Sequence, residues 1–243
     1  MRQTTSTLAA RLHGRTRTAV LLAAALLGAG LPGHVKAATE SRDVSGFDEV
    51  LLAIPGDIDI RQGSTETLTL DAEPAVLRKI TTERHGHRLE IAFVPGRVQT
   101  QQPIRVTLVV RSLQAFDSQA AGTAHIGPLR SDKLALALGG GSSVRLARLD
   151  GRSLDMRVTG AGTITIDAGG VATQRLAISG AGTYVAPLLA SEHAEVAIDG
   201  QGDVRLAASA ALGVRIAGVG QVRYRGNPTV TRAISGVGSI EKD

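Results

Sequence analysis

The sequence predicts an all-β chain, a parallel β-helix (β-solenoid) of coils about 20 residues long with an N-terminal β cap. Three observations carry this. A Gly-x-Gly corner recurs at near-constant spacing, apolar residues alternate with period two on both sides of every corner, and the composition is rich in glycine (29 of 243 residues) but only 2% aromatic, with no Trp. A core without large rings has to be assembled from Val, Ile, Leu and Ala in narrow layers, which thin repetitive β structure provides.

Stacked in register, the corners read Ala120-Ala121-Gly122, Gly140-Gly141-Ser142, Gly160-Ala161-Gly162, Gly180-Ala181-Gly182, Gly200-Gln201-Gly202, Gly218-Val219-Gly220 and Gly236-Val237-Gly238, with spacings of 20, 20, 20, 20, 18 and 18. Two and four residues before them stand pairs such as Leu136/Leu138, Leu176/Ile178, Val214/Ile216 and Arg232/Ile234; after them come Val144/Leu146, Ile164/Ile166, Tyr184/Ala186 and Val204/Leu206. Each corner therefore joins two short strands with one buried face apiece. Glycine suits the bend through its access to positive φ and because it lets neighbouring coils approach closely. One coil cannot bury its apolar face alone, so equivalent strands stack in parallel, about 4.8 Å per coil. A third apolar position at Leu129, Leu149, Val171, Leu189 and Val230 predicts a short third side or a rounded corner, closing a β-helix of two to three faces. Right-handed winding is the usual outcome for parallel crossovers.

Residues 1–37 read as a signal peptide. Arg2, Arg11, Arg15 and Arg17 precede the apolar run Ala19 to Leu31, and small residues end at Val35-Lys36-Ala37. The run is short for a membrane span, although an uncleaved anchor is the alternative. Export to the periplasm, cell surface or medium follows, with no transmembrane segment expected in the mature chain. The absence of Cys removes lipid attachment at a cysteine, disulfides and thiol chemistry. Of the 27 basic residues, the four arginines and Lys36 lie in this segment; their removal leaves 22 basic against 22 acidic residues. The high pI belongs to the targeting segment, and nucleic acid is excluded as a partner.

Residues 38–115 form the N-terminal strands and cap. Ile54-Pro-Gly-Asp-Ile-Asp-Ile60 reads as an eroded repeat, and His85-Gly-His87 as a hairpin turn. Residues 116–243 carry the regular coils, in one domain continuous with the cap, and the charged tail Glu241-Lys242-Asp243 discourages further stacking.

The ladder of polar-Gly-x-Gly corners, as in Ile178-Ser-Gly-Ala-Gly-Thr183 and Ile234-Ser-Gly-Val-Gly-Ser239, together with Phe47-Asp-Glu-Val50 and Asp57-Ile-Asp-Ile-Arg-Gln-Gly63, resembles the head GIN domain family over roughly residues 46 to 240. The resemblance implies a secreted or cell-surface β-helical domain of the autotransporter-adhesin type, and supplies no catalytic residues. An autotransporter also needs a C-terminal membrane barrel. The coils here run almost to the last residue, so self-translocation is not expected.

Candidate chemistry is sparse. Asp199 and Asp203 flank one corner, with Arg205 and Arg223 nearby, a set that a polysaccharide-cleaving β-helix enzyme could use for Ca²⁺ binding and proton abstraction. The bland reading makes both aspartates turn residues that satisfy backbone donors beside Thr159, Thr163, Ser179 and Thr183. Arg145, Arg205 and Arg223 occupy equivalent outward positions, with Thr165 and Val185 between the first two, and could contact an anionic ligand. His85 and His87 have a spacing compatible with metal, but no third ligand is near, and a solvated hairpin turn is favoured. The expected function is a non-enzymatic envelope or surface binding module without a cofactor, whose partner is a surface glycan, an envelope component or a protein. A minimal polysaccharide-processing enzyme and a self-associating structural protein are the alternatives.

Overall fold

The computed structural model describes residues 37–243; all of the proposed signal peptide except Ala37 lies outside the described residues. The cap contains β1 (Ala38–Arg42), β2 (Glu49–Leu52), β3 (Gly56–Gln62), β4 (Thr67–Ala72), α1 (Pro74–Leu77), β5 (Ile80–His85), β6 (Arg88–Phe93) and β7 (Arg105–Val110). The coils follow as β8 (Ala115–Ser118), β9 (Gly122–Leu138), β10 (Gly141–Val158), β11 (Ala161–Ile166), β12 (Gly169–Ile178), β13 (Ala181–Val185), β14 (Leu189–Ile198), β15 (Gln201–Ala207), β16 (Ala211–Ile216), β17 (Val219–Arg225), β18 (Thr229–Ile234) and β19 (Val237–Lys242). Seven corners bound six turns of a β-solenoid, and every pairing among β8 to β19 is parallel.

The predicted apolar pairs face inward from Phe116/Ser118 through Val222/Tyr224 and line one continuous core. In the last coil the pattern fails: Arg232 and Ile234 are exposed, and Ile240 and Val230 only partly buried, because no coil covers them. The third side is also more varied than one ladder. Leu129, Leu149, Gly169 and Leu189 are in register, whereas Val171 pairs with Ser191, and Val230 continues the row Leu134, Leu154, Gln174, Ala194, Leu212.

The change of spacing from 20 to 18 has one location. Val185 and Arg205 are 20 apart in register, but His193 and Ala211 only 18, so two residues are lost between β15 and β16, on the third side. A buried polar tie sits beside the shortening. Tyr184 Oη donates to Gln174 Oε1 at 2.9 Å, and Gln174 Nε2 donates to Ser191 Oγ at 2.8 Å and to the Ala207 carbonyl at 2.9 Å. Ser191 Oγ donates to the same carbonyl at 2.7 Å. Gln174 is only 2% exposed, and Ala194 above it in the ladder leaves room for the phenol. A fully partnered network of this kind avoids the cost of about 1–3 kcal/mol per unsatisfied buried group. Burial raises the Tyr184 pKa, which keeps the phenol a neutral donor.

Residues 46–63 form a true coil, as the eroded copy suggests: β2 stacks on β8 and β3 on β9, with Gly56 opposite Gly122. The chain then leaves the stack and returns as β6 and β7, which lie parallel on β2 and β3 and extend the solenoid outward. The outermost strands are antiparallel, β4 on β7 with β1 beyond it, and β5 on β6. Helix α1 brings buried Val76 and Leu77 to this end of the core. The Arg42 guanidinium donates to the carbonyls of Leu77 (3.0 Å) and Ile80 (2.7 Å), tying β1 to the helix and to β5.

Candidate functional site

At each corner from Gly140 to Gly236 two successive backbone N–H groups converge on one carbonyl of the preceding coil. Ser179 and Gly180 donate to Val158 O, Asp199 and Gly200 to Ile178 O, and Ala217 and Gly218 to Ile198 O, at 2.8–3.2 Å. Asp199 stands in the bend and Asp203 in β15, but the corner's backbone donors are satisfied by backbone rather than by either carboxylate. Asp199 instead pairs with Arg215 at 2.9 Å, and Asp203 lies 3.9 Å from Arg205.

From Gly140 to Gly238 the first and third corner glycines are required by space, whereas positive φ occurs at the first corners, Gly56 and Gly122, and on the third side at Gly169. A Cβ on Gly180, Gly200 or Gly218 would overlap the carbonyl oxygen of the glycine one coil below. A Cβ on the third corner residue of the middle coils, Gly182, Gly202 or Gly220, would instead press into the core ladder beneath it. At Gly202 it would lie 3.1 Å from Ile178 and Ile198, and at Gly220 2.8 Å from Ile198 Cδ1. Ser142 is the exception at this position. Gly162 sits over Leu138 in the same way, but the residue in register with Leu138 one coil earlier is Ser118, whose small side chain leaves room for Ser142.

This steric rule creates a groove of about 980 Å³ along the corners. Gly162, Gly182, Gly202, Gly220 and Gly238 floor it without side chains. It spans six coils, about 24 Å at the usual strand spacing. One lip is the polar ladder Ser143, Thr163, Thr183, Asp203, Gln221 and Ser239, in register from coil to coil. The serines, threonines and Gln221 of this lip make no side-chain hydrogen bond to another described residue, in contrast with Ser131 and Ser191 on the third side.

A family model described as "Putative auto-transporter adhesin, head GIN domain" matches residues 46–228. The chain belongs to the head GIN domain family. Solved structures agree at the level of the fold. A "putative adhesin" from Bacteroides fragilis superposes with a TM-score of 0.81 at 22% identity, over 86% of this chain and 97% of that one. A "putative adhesin" from Parabacteroides merdae gives 0.67 at 20% identity, over 87% and 98%. A "putative lipid binding protein" from Parabacteroides distasonis gives 0.65 at 19%, over 87% and 98%. No curated protein matches the sequence.

In this head GIN domain Arg145, Arg205 and Arg223 do share one outward ladder, with Thr165 and Val185 between the first two. Each faces a carboxylate: Arg145 pairs with Asp167 at 2.9 Å, Arg205 with Asp203 at 3.9 Å, and Arg223 with Glu241 at 4.0 Å. His85 and His87 lie at the hairpin between β5 and β6, where Gly86 has φ +64°, and His85 is 3.4 Å from Glu83. Among the described residues no three His, Cys, Asp or Glu side chains are grouped to hold a metal, and no helix is long and apolar enough to cross a membrane. Reading by motif passed over Gln174 and Ser191, which make the buried tie, although counting by 20 places Gln174 in a row with Leu134 and Leu154.

Proposed function

We propose that this head GIN domain is an exported, non-enzymatic binding module of the cell envelope that holds an extended, hydroxyl-rich polymer, a glycan chain, along the corner groove. The observation that carries this reading is the lip of uncommitted hydroxyl and amide groups repeating once per coil. The coil rise of about 4.8 Å is close to the length that one sugar unit adds to an extended chain, so successive units meet equivalent donors and acceptors. Membership of an adhesin family supports a binding role, and the N-terminal charge and apolar pattern supports export. The groove is open and only one of its lips is polar, the other carrying Ala161, Ala181, Val219 and Val237; the hydroxyl ladder favours a hydroxylated chain over an acyl chain, the ligand class in the description of one solved relative.

Four of the five aromatic residues, Phe47, Phe116, Tyr184 and Tyr224, are buried, and Phe93 is packed against the core. Sugar contacts are therefore hydrogen bonds without ring stacking, individually weak and summed along the ladder. Arg145, Arg205 and Arg223, beside the lip, contact an anionic substituent by exchanging their present carboxylates for it.

A glycan array probed with residues 38–243 tests the reading. Binding of one class of linear glycan, lost in the double variant Thr163→Val/Thr183→Val, is the expected result. No glycan bound, or binding indifferent to these two substitutions, refutes the groove. Sedimentation of the same sample addresses self-association, which the 70% exposure of Val237 and 43% exposure of Ile234 in the last coil favour as a second reading.

A further inference from the structure

Where the cap hands over to the repeats, the segment Ser112 to Gln114 borders a cleft of about 770 Å³ on the third side, separate from the corner groove. The backbone around it is fixed by long-range side-chain bonds. Gln62 donates to the carbonyls of Arg111 (3.0 Å) and Arg130 (3.2 Å) and accepts from the Arg130 N–H (3.0 Å). Ser131 Oγ shares its proton between the carbonyls of Leu113 (2.8 Å) and Lys133 (2.7 Å).

The charges there do not balance. Asp132 is held by Arg152, and Asp150 by a two-pronged contact from Arg148 at 2.8 and 2.9 Å. Those hydrogen bonds hold the Asp150 carboxyl below the usual range, and the nearby Arg130 charge adds to the effect. Three cations, Arg130, Lys133 and Arg152, thus line the cleft against one carboxylate, Asp132, that is already engaged, and neither Arg130 nor Lys133 has a carboxylate within 4.0 Å among the described residues. The arginines of the outward ladder differ, since each of the three has its own carboxylate. Lys133 also stands in register with Ser153 and Thr173, whose hydroxyls have no partner among the described residues.

We propose that this cleft is a second binding site, for an anionic sugar unit: Arg130 and Lys133 take its carboxylate or phosphate, while Ser153 and Thr173 take its ring hydroxyls. The volume is in the range of about 300–1,000 Å³ usual for small-ligand sites. A backbone fixed independently of the ligand lets these side chains engage without reorganising it. Charge-assisted contacts to two otherwise unpaired cations supply the affinity that neutral hydroxyls lack.

Calorimetric titration of residues 38–243 with a galacturonate trisaccharide, a neutral galactose trisaccharide and inorganic phosphate tests the assignment. The acidic trisaccharide is expected to bind at least about tenfold more tightly than either other probe, and Arg130→Gln/Lys133→Gln to remove at least about tenfold of that affinity. The triple variant Arg145→Gln/Arg205→Gln/Arg223→Gln and the groove variant Thr163→Val/Thr183→Val keep it. Equal affinity for the neutral sugar, equal affinity for phosphate, or indifference to the Arg130/Lys133 pair overturns the proposal. Loss of binding in the groove variant alone overturns it too, by moving the site to the groove. All of these substitutions fall on side chains at the surface, so circular dichroism of each variant separates lost binding from lost fold.

Discussion

The two ends of the stack meet the same physical problem in opposite ways. Both terminate a parallel sheet and would leave unpaired backbone groups and an open apolar core. At the N-terminal end the chain leaves the coil at residue 63 and returns as β6 and β7, with β4, β1 and β5 laid antiparallel outside them. Leu68, Leu70, Val76 and Leu77 are buried there, within the range of the core residues of the middle coils. The last coil has no such cover among the described residues. Instead its inward rows end in charge: Arg232 follows Val196 and Val214, and Lys242 follows Leu206 and Tyr224, with Lys242 Nζ donating to Asn227 Oδ1. One end is closed by added chain, whereas the last coil is left open with exposed cations in register with its inward rows, which disfavour further stacking at little cost in residues. Stability should accordingly be distributed unevenly along the axis.

The largest test of this contrast compares matched truncations. Leu70→Ala in the cap is expected to cost about 2–5 kcal/mol, while Ile240→Ala in the last coil costs under about 1 kcal/mol, both read from urea midpoints. Equal costs would mean that the last coil is as well packed as the cap. Next comes Gln174→Leu, which restores the leucine of its row but strips Tyr184 Oη and the Ala207 carbonyl of a partner; a loss of about 1–3 kcal/mol is expected. A neutral result would show that the tie is dispensable at the shortened coil.

Alkaline titration gives a subtler measure. The Tyr184 phenol has its pKa raised by burial in the folded chain, so the folded state retains a proton that the unfolded state releases. Its stabilising effect is full below the unfolded phenol value of about 10 and declines as pH rises above it. Ultraviolet absorbance should therefore show Tyr184 ionising only together with unfolding. The smallest change in stability, within about 0.5 kcal/mol, is expected from Arg232→Val/Lys242→Val. That variant should reveal the purpose of the end charges by associating with rising concentration in sedimentation velocity, where the parent chain associates less.

Much of this was legible from particular residues. The period-two pairs around Gly160, Gly180 and Gly200 predicted which faces point inward, and the structure buries Leu176, Ile178, Val196 and Ile198 accordingly. The three arginines of the outward ladder were placed on one row by counting alone, but their carboxylate partners were not. Asp167 lies 22 residues from Arg145, and its reach depends on how the coil bends into the third side. The cleft around Arg130 and Lys133 was hidden for a similar reason, because Gln62 and Leu113, which fix its backbone, come from outside the repeat.

Periodicity by itself determined the solenoid, the register and the inward rows of this chain, because a strand's side-chain period of two and a fixed coil length leave one way to bury the apolar set. Only the tertiary structure decided why the corners must be glycine, where the two residues are dropped, how each end is finished and which charges stay unpaired. Those features depend on atoms from different coils meeting within a few ångströms, at sequence separations that vary from about one coil to several.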